Sequence, residues 1–143
     1  MPGTEARSAD IYLPSWSGGL DTALDVTVVN PLQQTFLNQS AANPGHALHK
    51  AYERKMTKHG EACRLAGITS TPLPLATFGA WGESTVREVR RMGSALSRHT
   101  GGEESEVIRH LVQRVSVSLI KVNANLLLNR SPNDHPAHID GIE

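Results

Sequence analysis

The strongest constraint on the fold is a run of β-branched and apolar residues at positions 22–29, TALDVTVV, which ends at Asn30-Pro31. Because β-branched side chains favour a pleated strand and proline cannot donate to a ladder, this run predicts a β-strand. Residues 9–13, ADIYL, predict a shorter strand that Pro14 stops. The turn-forming Ser17-Gly18-Gly19 lies between the two runs, so the two strands are expected to form a β-hairpin.

The middle of the chain predicts a connection that crosses from one strand to another. Residues 31–44 are polar and predict a loop with one helical turn near positions 32–37. Residues 46–65 have helical spacing and stop at Gly67. Residues 71–78, TPLPLATF, predict a third strand, and its two prolines indicate an edge position.

Two helices are predicted after the third strand. Residues 83–97 carry an apolar stripe, and residues 103–128 start with glutamates that suit the positive end of a helix dipole. The predicted fold is therefore α/β: a small three- to four-stranded mixed sheet, a crossover helix and two C-terminal helices. One domain is expected at residues 9–130, with a flexible lead-in at 1–8 and a disordered tail at 131–143.

Composition limits the classes of function. The 14 basic and 14 acidic residues balance, so a surface for nucleic acid would have to be local. The single cysteine, Cys63, excludes an internal disulfide and favours a reducing compartment. No uninterrupted apolar run approaches the ~20 residues that cross a bilayer, and the polar start excludes a signal peptide. We expect an intracellular protein without a membrane partner.

The residues with the clearest chemical potential are two aspartates in the predicted hairpin. Asp10 lies in the first strand and Asp25 in the middle of the second. Aspartate is depleted inside strands because its carboxylate resists burial, so both positions need an explanation. One explanation is that the two aspartates share a Mg²⁺ ion, since this ion prefers carboxylate and water oxygens. The alternative is that both are strand-end or outward-facing residues.

The predicted crossover helix carries a lysine that suits the same site. Lys55 would add a positive charge near a phosphate, and Lys58 lies one turn later. By helical spacing, Tyr52, Lys55 and His59 share one face, so Tyr52 and Lys55 are expected to point together at the sheet. The alternative is a solvated basic helix face.

Several other residues have two interpretations each. Arg87, Arg90 and Arg91 either track a phosphate backbone or form a solvated face paired with Glu83 and Glu88. Trp81 either stacks on a base or packs over the hairpin, and the sequence leaves the same two roles open for Trp16. His59 and Cys63 are four residues apart, yet a zinc site lacks a second pair, so we expect Cys63 to be buried against the sheet.

Several motifs together resemble one family. They are RSADIYLPSW from Arg7, ALDVTVVNPLQ from Ala23, PGHAL from Pro44 and ERK ending at Lys55. They continue with a G-x-x-x-x-P-L pattern at 67–73, G-x-W at 79–81 and RHLVQRVSVSL at 109–119. This pattern resembles the restriction-like endonuclease domain of PD-(D/E)XK type, which follows the reverse transcriptase in non-LTR retroelement proteins. The resemblance spans residues 7–130.

The resemblance implies a divalent-metal-dependent DNA endonuclease. Asp10 and Asp25 would bind Mg²⁺ or Mn²⁺, Lys55 would be the catalytic lysine, and Arg7 an accessory residue near the scissile phosphate. Tyr52 and Lys58 are further candidate DNA-binding residues. The partners would be DNA, or an RNA–DNA intermediate, and an upstream reverse transcriptase domain, in the nucleus.

The chain departs from the family pattern at three points. Ser8 replaces a proline, Ala76 stands where relatives carry glutamate in the third strand, and the helix that precedes the first strand is absent, so the domain resembles an N-terminally truncated member. The missing helix and Ala76 favour an alternative: a catalytically inactive retroelement remnant that binds nucleic acid or protein. The presence of Asp10, Asp25 and Lys55 together favours the enzyme.

Overall fold

The computed structural model of the chain describes residues 9–33 and 37–130. Its strands are β1 (Ile11–Ser17), β2 (Leu20–Val29) and β3 (Thr69–Ala76). Its helices are α1 (Leu37–Ala42), α2 (His46–Lys55), α3 (Glu61–Leu65), α4 (Glu83–Thr100) and α5 (Glu104–Arg130), and a π-helical turn, Met56–Gly60, joins α2 to α3. The predictions of a lead-in at 1–8 and a tail at 131–143 lie outside the described residues.

The three strands form one mixed sheet in the order β1-β2-β3. Strands β1 and β2 form the predicted antiparallel hairpin, whereas β2 and β3 are parallel, with Val26 opposite Leu73. Parallel neighbours need a crossover connection, and helices α1 to α3 supply it. The α/β class with a small mixed sheet and two long C-terminal helices is confirmed.

The sheet has helices on both faces, because side chains alternate along a strand. On one face, Val29 and Ala76 form a buried cluster with Ala47, Leu48 and Ala51 of α2. On the other face, Val26, Val28 and Leu75 line an apolar groove against α5. Helix α2 therefore lies over the face to which Asp25 also belongs, since residues 25, 27 and 29 alternate with residues 26 and 28.

The prediction that Pro14 stops the first strand is wrong. Strand β1 continues to Ser17, and its register with β2 shifts between Leu13 and Ser17. An edge strand tolerates a proline at such an irregularity because the missing N–H faces no ladder partner. Ser15 takes a left-handed backbone with φ of 50°, and its N–H donates to the Asp21 carboxylate at 2.9 Å.

The prolines of β3 lie at the free edge of the sheet, as predicted. The hydroxyl of Ser84 donates to the carbonyl of Pro72 at 2.6 Å, and Thr85 donates to Pro74 at 2.8 Å. The start of α4 therefore supplies the hydrogen bonds that another strand would otherwise make. The strand occupies residues 69–76 rather than 71–78, and Phe78 lies beyond it with an exposed side chain.

The predicted helix at 46–65 is interrupted by the π-helical turn, and α1 begins at Leu37 rather than near position 32. A π turn inserts one extra residue, which rotates all later side chains about the axis. The α-helical spacing that grouped His59 with Tyr52 and Lys55 therefore does not hold beyond Lys55. Cys63 comes after the turn and is half-buried, so the prediction of a buried Cys63 is wrong.

Helices α4 and α5 approach closely at Gly93. A Cβ at this position would lie 2.5 Å from Cγ1 and 3.2 Å from Cα of Ile108. We expect Gly93→Ala to lower the free energy of unfolding by about 1–2 kcal/mol. Overpacking costs about 1–3 kcal/mol, and the gain in helix propensity offsets up to about 1 kcal/mol of that cost. Urea unfolding measures the change.

A double variant checks the cause of this destabilisation. Ile108→Ala removes the nearest side-chain atom, so the cost of Gly93→Ala should be smaller in that background. An equal cost in both backgrounds would contradict the close contact.

Helix α5 contains a stretch, Glu104–Asn129, that is long and apolar enough to cross a membrane, judged by length and composition alone. Arg114 and Lys121 interrupt this stretch, so it contains no uninterrupted apolar run, although its mean hydropathy is high. Only 6% of this stretch is buried within the structure.

Candidate functional site

The crossover helix and the central strand meet in an ion pair. The Nζ atom of Lys55 lies 2.8 Å from Oδ2 of Asp25, and the two side chains are 25% and 22% exposed. Asp25 comes from the middle of β2 and Lys55 is the last residue of α2. The structure therefore brings together two of the three residues that the resemblance implies are catalytic, at a position that solvent can still reach.

The packing of α2 determines where Lys55 points. Ala47, Leu48 and Ala51 are buried against the sheet. Lys55 follows Ala51 by four residues, so it lies on the same helix face, one turn beyond the apolar contact. The helical path continues into the π-helical turn, and from this position the long side chain of Lys55 reaches the carboxylate of Asp25.

Asp10 lies one residue before β1, at the end of the hairpin ladder, rather than inside the strand as predicted. Its Oδ2 accepts a hydrogen bond of 2.8 Å from the backbone N–H of Val26. Since Ile11 pairs with Leu24, Asp10 is next to Asp25 in the antiparallel register. One oxygen of Asp10 thus has a structural role at a strand end, and the carboxylate lies beside the peptide group that follows Asp25.

The other candidate residues lie at varying distances from this pair. Tyr52 lines a cleft between α2 and the start of α4, together with Pro74 and Trp81. It shares the sheet-facing side of α2 with Lys55 but points at the β3 edge rather than at β2. Lys58 is exposed within the π-helical turn. Arg7 lies outside the described residues.

The donor atoms available for a metal are few. Within residues 9–33 and 37–130, no three His, Cys, Asp or Glu side chains come together. This finding leaves the pair formed by Asp10 and Asp25 as a two-carboxylate candidate. On the same strand face, the hydroxyl of Thr27 is buried and has no hydrogen-bond partner among the described residues. The site therefore offers carboxylate oxygens beside an ammonium group.

Sequence reasoning did not find a buried glutamate that connects the hairpin to α4. Glu88 is 2% exposed, and its Oε2 accepts hydrogen bonds from Trp16 Nε1 at 2.8 Å and from Arg91 at 3.0 Å. Arg91 also donates to the carbonyl of Trp16 at 2.7 Å and lies 4.9 Å from the centre of its ring. We call Trp16, Glu88 and Arg91 the hairpin clamp, because they join β1 to α4.

The electrostatics of the clamp favour the charged form of Glu88. Burial raises the pKa of the Glu88 carboxyl, but the hydrogen bonds from Trp16 and Arg87 and the charge of Arg91 outweigh burial. The net pKa lies below the ordinary value, so the carboxylate is ionised at neutral pH. A signal was present in the sequence: Glu88 follows Thr85 by three residues and precedes Gly93, and both lie on the buried face of α4.

The structure bears out part of the pairing interpretation of the arginine cluster, and phosphate binding by the cluster stays a prediction. Arg87 and Arg91 pair with Glu88, as the structural alternative predicts for that glutamate. Arg90 is exposed and makes no ion pair within the described part of the chain. Trp81 lies at the β3 edge rather than over the hairpin, and its backbone forms an antiparallel bridge with Leu75 there.

Comparisons with known proteins identify no relative of this chain. No model of a known protein family matches the chain. No curated protein and no solved structure shows a significant match. The function of the chain must therefore be inferred from its sequence motifs and from the geometry of Asp10, Asp25 and Lys55.

Proposed function

We propose that the chain is a divalent-metal-dependent DNA endonuclease domain of the restriction-like type, derived from a retroelement. The observation that carries the proposal is the contact of 2.8 Å between Lys55 and Asp25, with Asp10 next in register to Asp25. An acid just before β1, an acid in β2 and a lysine from the following helix are the residue types that the motifs predict. The same proposal includes a restriction-endonuclease-like fold for the sheet and its helices.

The donor set fits a hard divalent cation. Asp10 and Asp25 offer carboxylate oxygens, and Mg²⁺ completes its shell with water and phosphate oxygens rather than with a full protein cage. A bound Mg²⁺ or Mn²⁺ would polarise the phosphodiester and lower the pKa of a bound water.

The side chains of the chain itself have separate roles in this proposal. Asp10 and Asp25 would hold the cation. Lys55 donates to the phosphate oxygens and stabilises the negative charge that grows as water attacks. The resemblance also implies Arg7 as an accessory residue near the scissile phosphate, with Tyr52 and Lys58 as candidate DNA-binding residues. In the parent element, the nick would prime an upstream reverse transcriptase in the nucleus.

A second candidate is an inactive remnant that binds nucleic acid or protein. Two observations favour it. Asp10 already accepts the N–H of Val26, which is a sufficient structural reason for an aspartate there. Ala76, at the position of the family's third-strand glutamate, is 1% exposed and belongs to the buried cluster, so this strand contributes no acid.

Nicking of supercoiled plasmid separates the two candidates. We expect the purified chain to convert supercoiled DNA into open circles with Mg²⁺ or Mn²⁺, and the conversion to stop in EDTA. Asp10→Ala should abolish it, whereas Asp21→Ala, which alters a hairpin aspartate away from Lys55, should retain it. DNA binding without any metal-dependent nicking by the wild-type chain would favour the remnant.

A further inference from the structure

Three adjoining hollows follow the exposed side of α4. The first, of about 400 Å³, lies between α2 and the start of α4 and is lined by Tyr52, Trp81 and Arg87. The second shares Trp81 and Arg87 and adds Arg90. The third lies beside Arg90 and Arg98. We call this continuous surface the arginine furrow, defined by Tyr52, Trp81, Arg87, Arg90, Arg91 and Arg98.

The furrow carries four arginines and one exposed glutamate, Glu83, which lines its first two hollows, so its arginines outnumber its acids. Its arginines at positions 87, 90, 91 and 98 follow one side of α4 over about 16 Å. Glu88 pairs with Arg87 and Arg91 beneath the surface. Arg90 and Arg98 are exposed and make no ion pair with any acid in the described part of the chain. Since the whole chain is neutral, this local excess of charge favours an anionic partner.

One end of the furrow offers aromatic rings in a fixed position. The backbone around Trp81 is tied to the β3 edge: Ala76 N–H donates to Ala80 at 2.8 Å, and Gly82 N–H donates to Pro74 at 2.9 Å. A Cβ at Gly82 would lie 2.6 Å from Pro74, so the segment lies directly against the strand. Trp81 is only half-buried and lines the same cleft as Tyr52.

These features together indicate a polyanion that has unstacked bases. Aromatic rings bind bases of any sequence through their faces, and arginines follow the phosphates. In a duplex the base faces are covered by their neighbours, so entry into the cleft would require unstacking. Trp16, at the other end, already has Arg91 over its ring and its N–H on Glu88, so one face and the polar edge of this indole are occupied.

We propose that the arginine furrow binds single-stranded nucleic acid, with one base between Trp81 and Tyr52 and the phosphates along Arg90 and Arg98. This inference deepens the proposed function and rests on it for the choice of DNA. It does not depend on cleavage, because the furrow shares only Tyr52 with the proposed nuclease residues. Its contribution would be to hold the unpaired strand beside the cleavage site.

Binding of a dye-labelled single-stranded thymidine oligomer, measured by fluorescence anisotropy in EDTA, tests the furrow without any cleavage. We expect Trp81→Ala to weaken binding about tenfold or more and Trp81→Phe to retain most of it. Phe78→Ala, at an exposed aromatic outside the furrow, is the matched control. Circular dichroism of each variant verifies that it is folded.

The salt dependence tests the arginines separately. The double variant Arg90→Gln/Arg98→Gln should reduce the slope of log K against log salt by about 1.4, because each phosphate contact on a single strand contributes about 0.7. The control is Arg64→Gln/Arg109→Gln, which changes two arginines that pair with glutamates elsewhere. Labelled duplex of the same length should bind more weakly than the single strand.

The outcomes distinguish this inference from the proposed function. Binding that depends on Trp81 and on the two arginines, without metal-dependent nicking, would support the furrow and overturn the nuclease. Nicking with oligomer binding that Trp81→Ala and the double arginine variant leave unchanged would overturn the furrow alone. A stronger affinity for duplex than for single strand would also overturn it.

Discussion

Replacing Asp25 by asparagine should lower the rate of metal-dependent DNA nicking about 100-fold or more, with the fold retained. The amide has the shape of the carboxylate but lacks the charge that would hold the cation, and loss of one such electrostatic contact costs about 10²–10³ in rate. Plasmid conversion under single-turnover conditions measures the effect. Wild-type activity in Asp25→Asn would contradict the proposed site.

The partner variant Lys55→Met should reduce nicking by a similar factor, because Lys55 would stabilise charge that is present only in the transition state. Lys50→Met is the matched control: Lys50 lies on α2, but its ammonium group pairs with Glu53 on the outer side of the helix. We expect nicking by Lys50→Met to remain near the wild-type rate.

Stability measurements distinguish a catalytic pair from a purely structural one. The ion pair has a structural component, so Asp25→Asn and Lys55→Met should each lower the free energy of unfolding, and their combined effect should be less than the sum. A purely structural pair predicts that nicking follows stability, so the double variant should lose less activity than the sum of the two single losses. The proposed site predicts that nicking stays absent there.

The elements of this fold were predictable where their causes are local. The β-branched run at 22–29, the apolar stripe of α4 and the glutamates at the start of α5 are local signals, and each belongs to the element that was expected. The two prolines of β3 correctly predicted that this strand lies at the edge of the sheet. A proline cannot donate a hydrogen bond, and at an edge no neighbouring strand needs one. Such signals require no knowledge of distant residues.

The differences arise where distant groups decide the conformation. Strand β1 passes Pro14 because Asp21, on the other strand, accepts the N–H of Ser15. The π-helical turn after Lys55 leaves no mark in the apolar spacing of residues 46–65 that would distinguish it from an α-helix. Both features depend on contacts that a local pattern does not contain.

The candidate site divides in the same way. Motif spacing and resemblance pointed to Asp25 and Lys55, and the structure places their charged groups in contact. The hairpin clamp was missed because Trp16 and Glu88 are 72 positions apart. A glutamate in an amphipathic helix is normally solvated, and only a partner from a distant strand makes its burial favourable.

Removing the carboxylate of the hairpin clamp should have the largest effect on stability of any side-chain truncation discussed above. We expect Glu88→Ala to lower the free energy of unfolding by about 3 kcal/mol, because it leaves Arg91 without its buried partner and Trp16 Nε1 without an acceptor. Arg91 remains 39% exposed and can recover some hydration, which favours the lower end of the usual range. Urea unfolding measures the change, and Glu83→Ala, at an exposed position on the same helix, should cost no more than about 0.5 kcal/mol.

The pH dependence identifies the charge of Glu88 as the cause. Its pKa in the folded chain lies below the ordinary value of 4.5, so the carboxylate adds stability above pH 4.5. That contribution falls progressively as the pH drops below 4.5 and is lost below the lowered pKa of the folded state. Glu88→Gln has no such titration, so its stability deficit against the wild-type chain should be constant near neutral pH and shrink in acid. A deficit that stays constant down to acid pH would mean that shape and packing, rather than charge, hold the hairpin against α4.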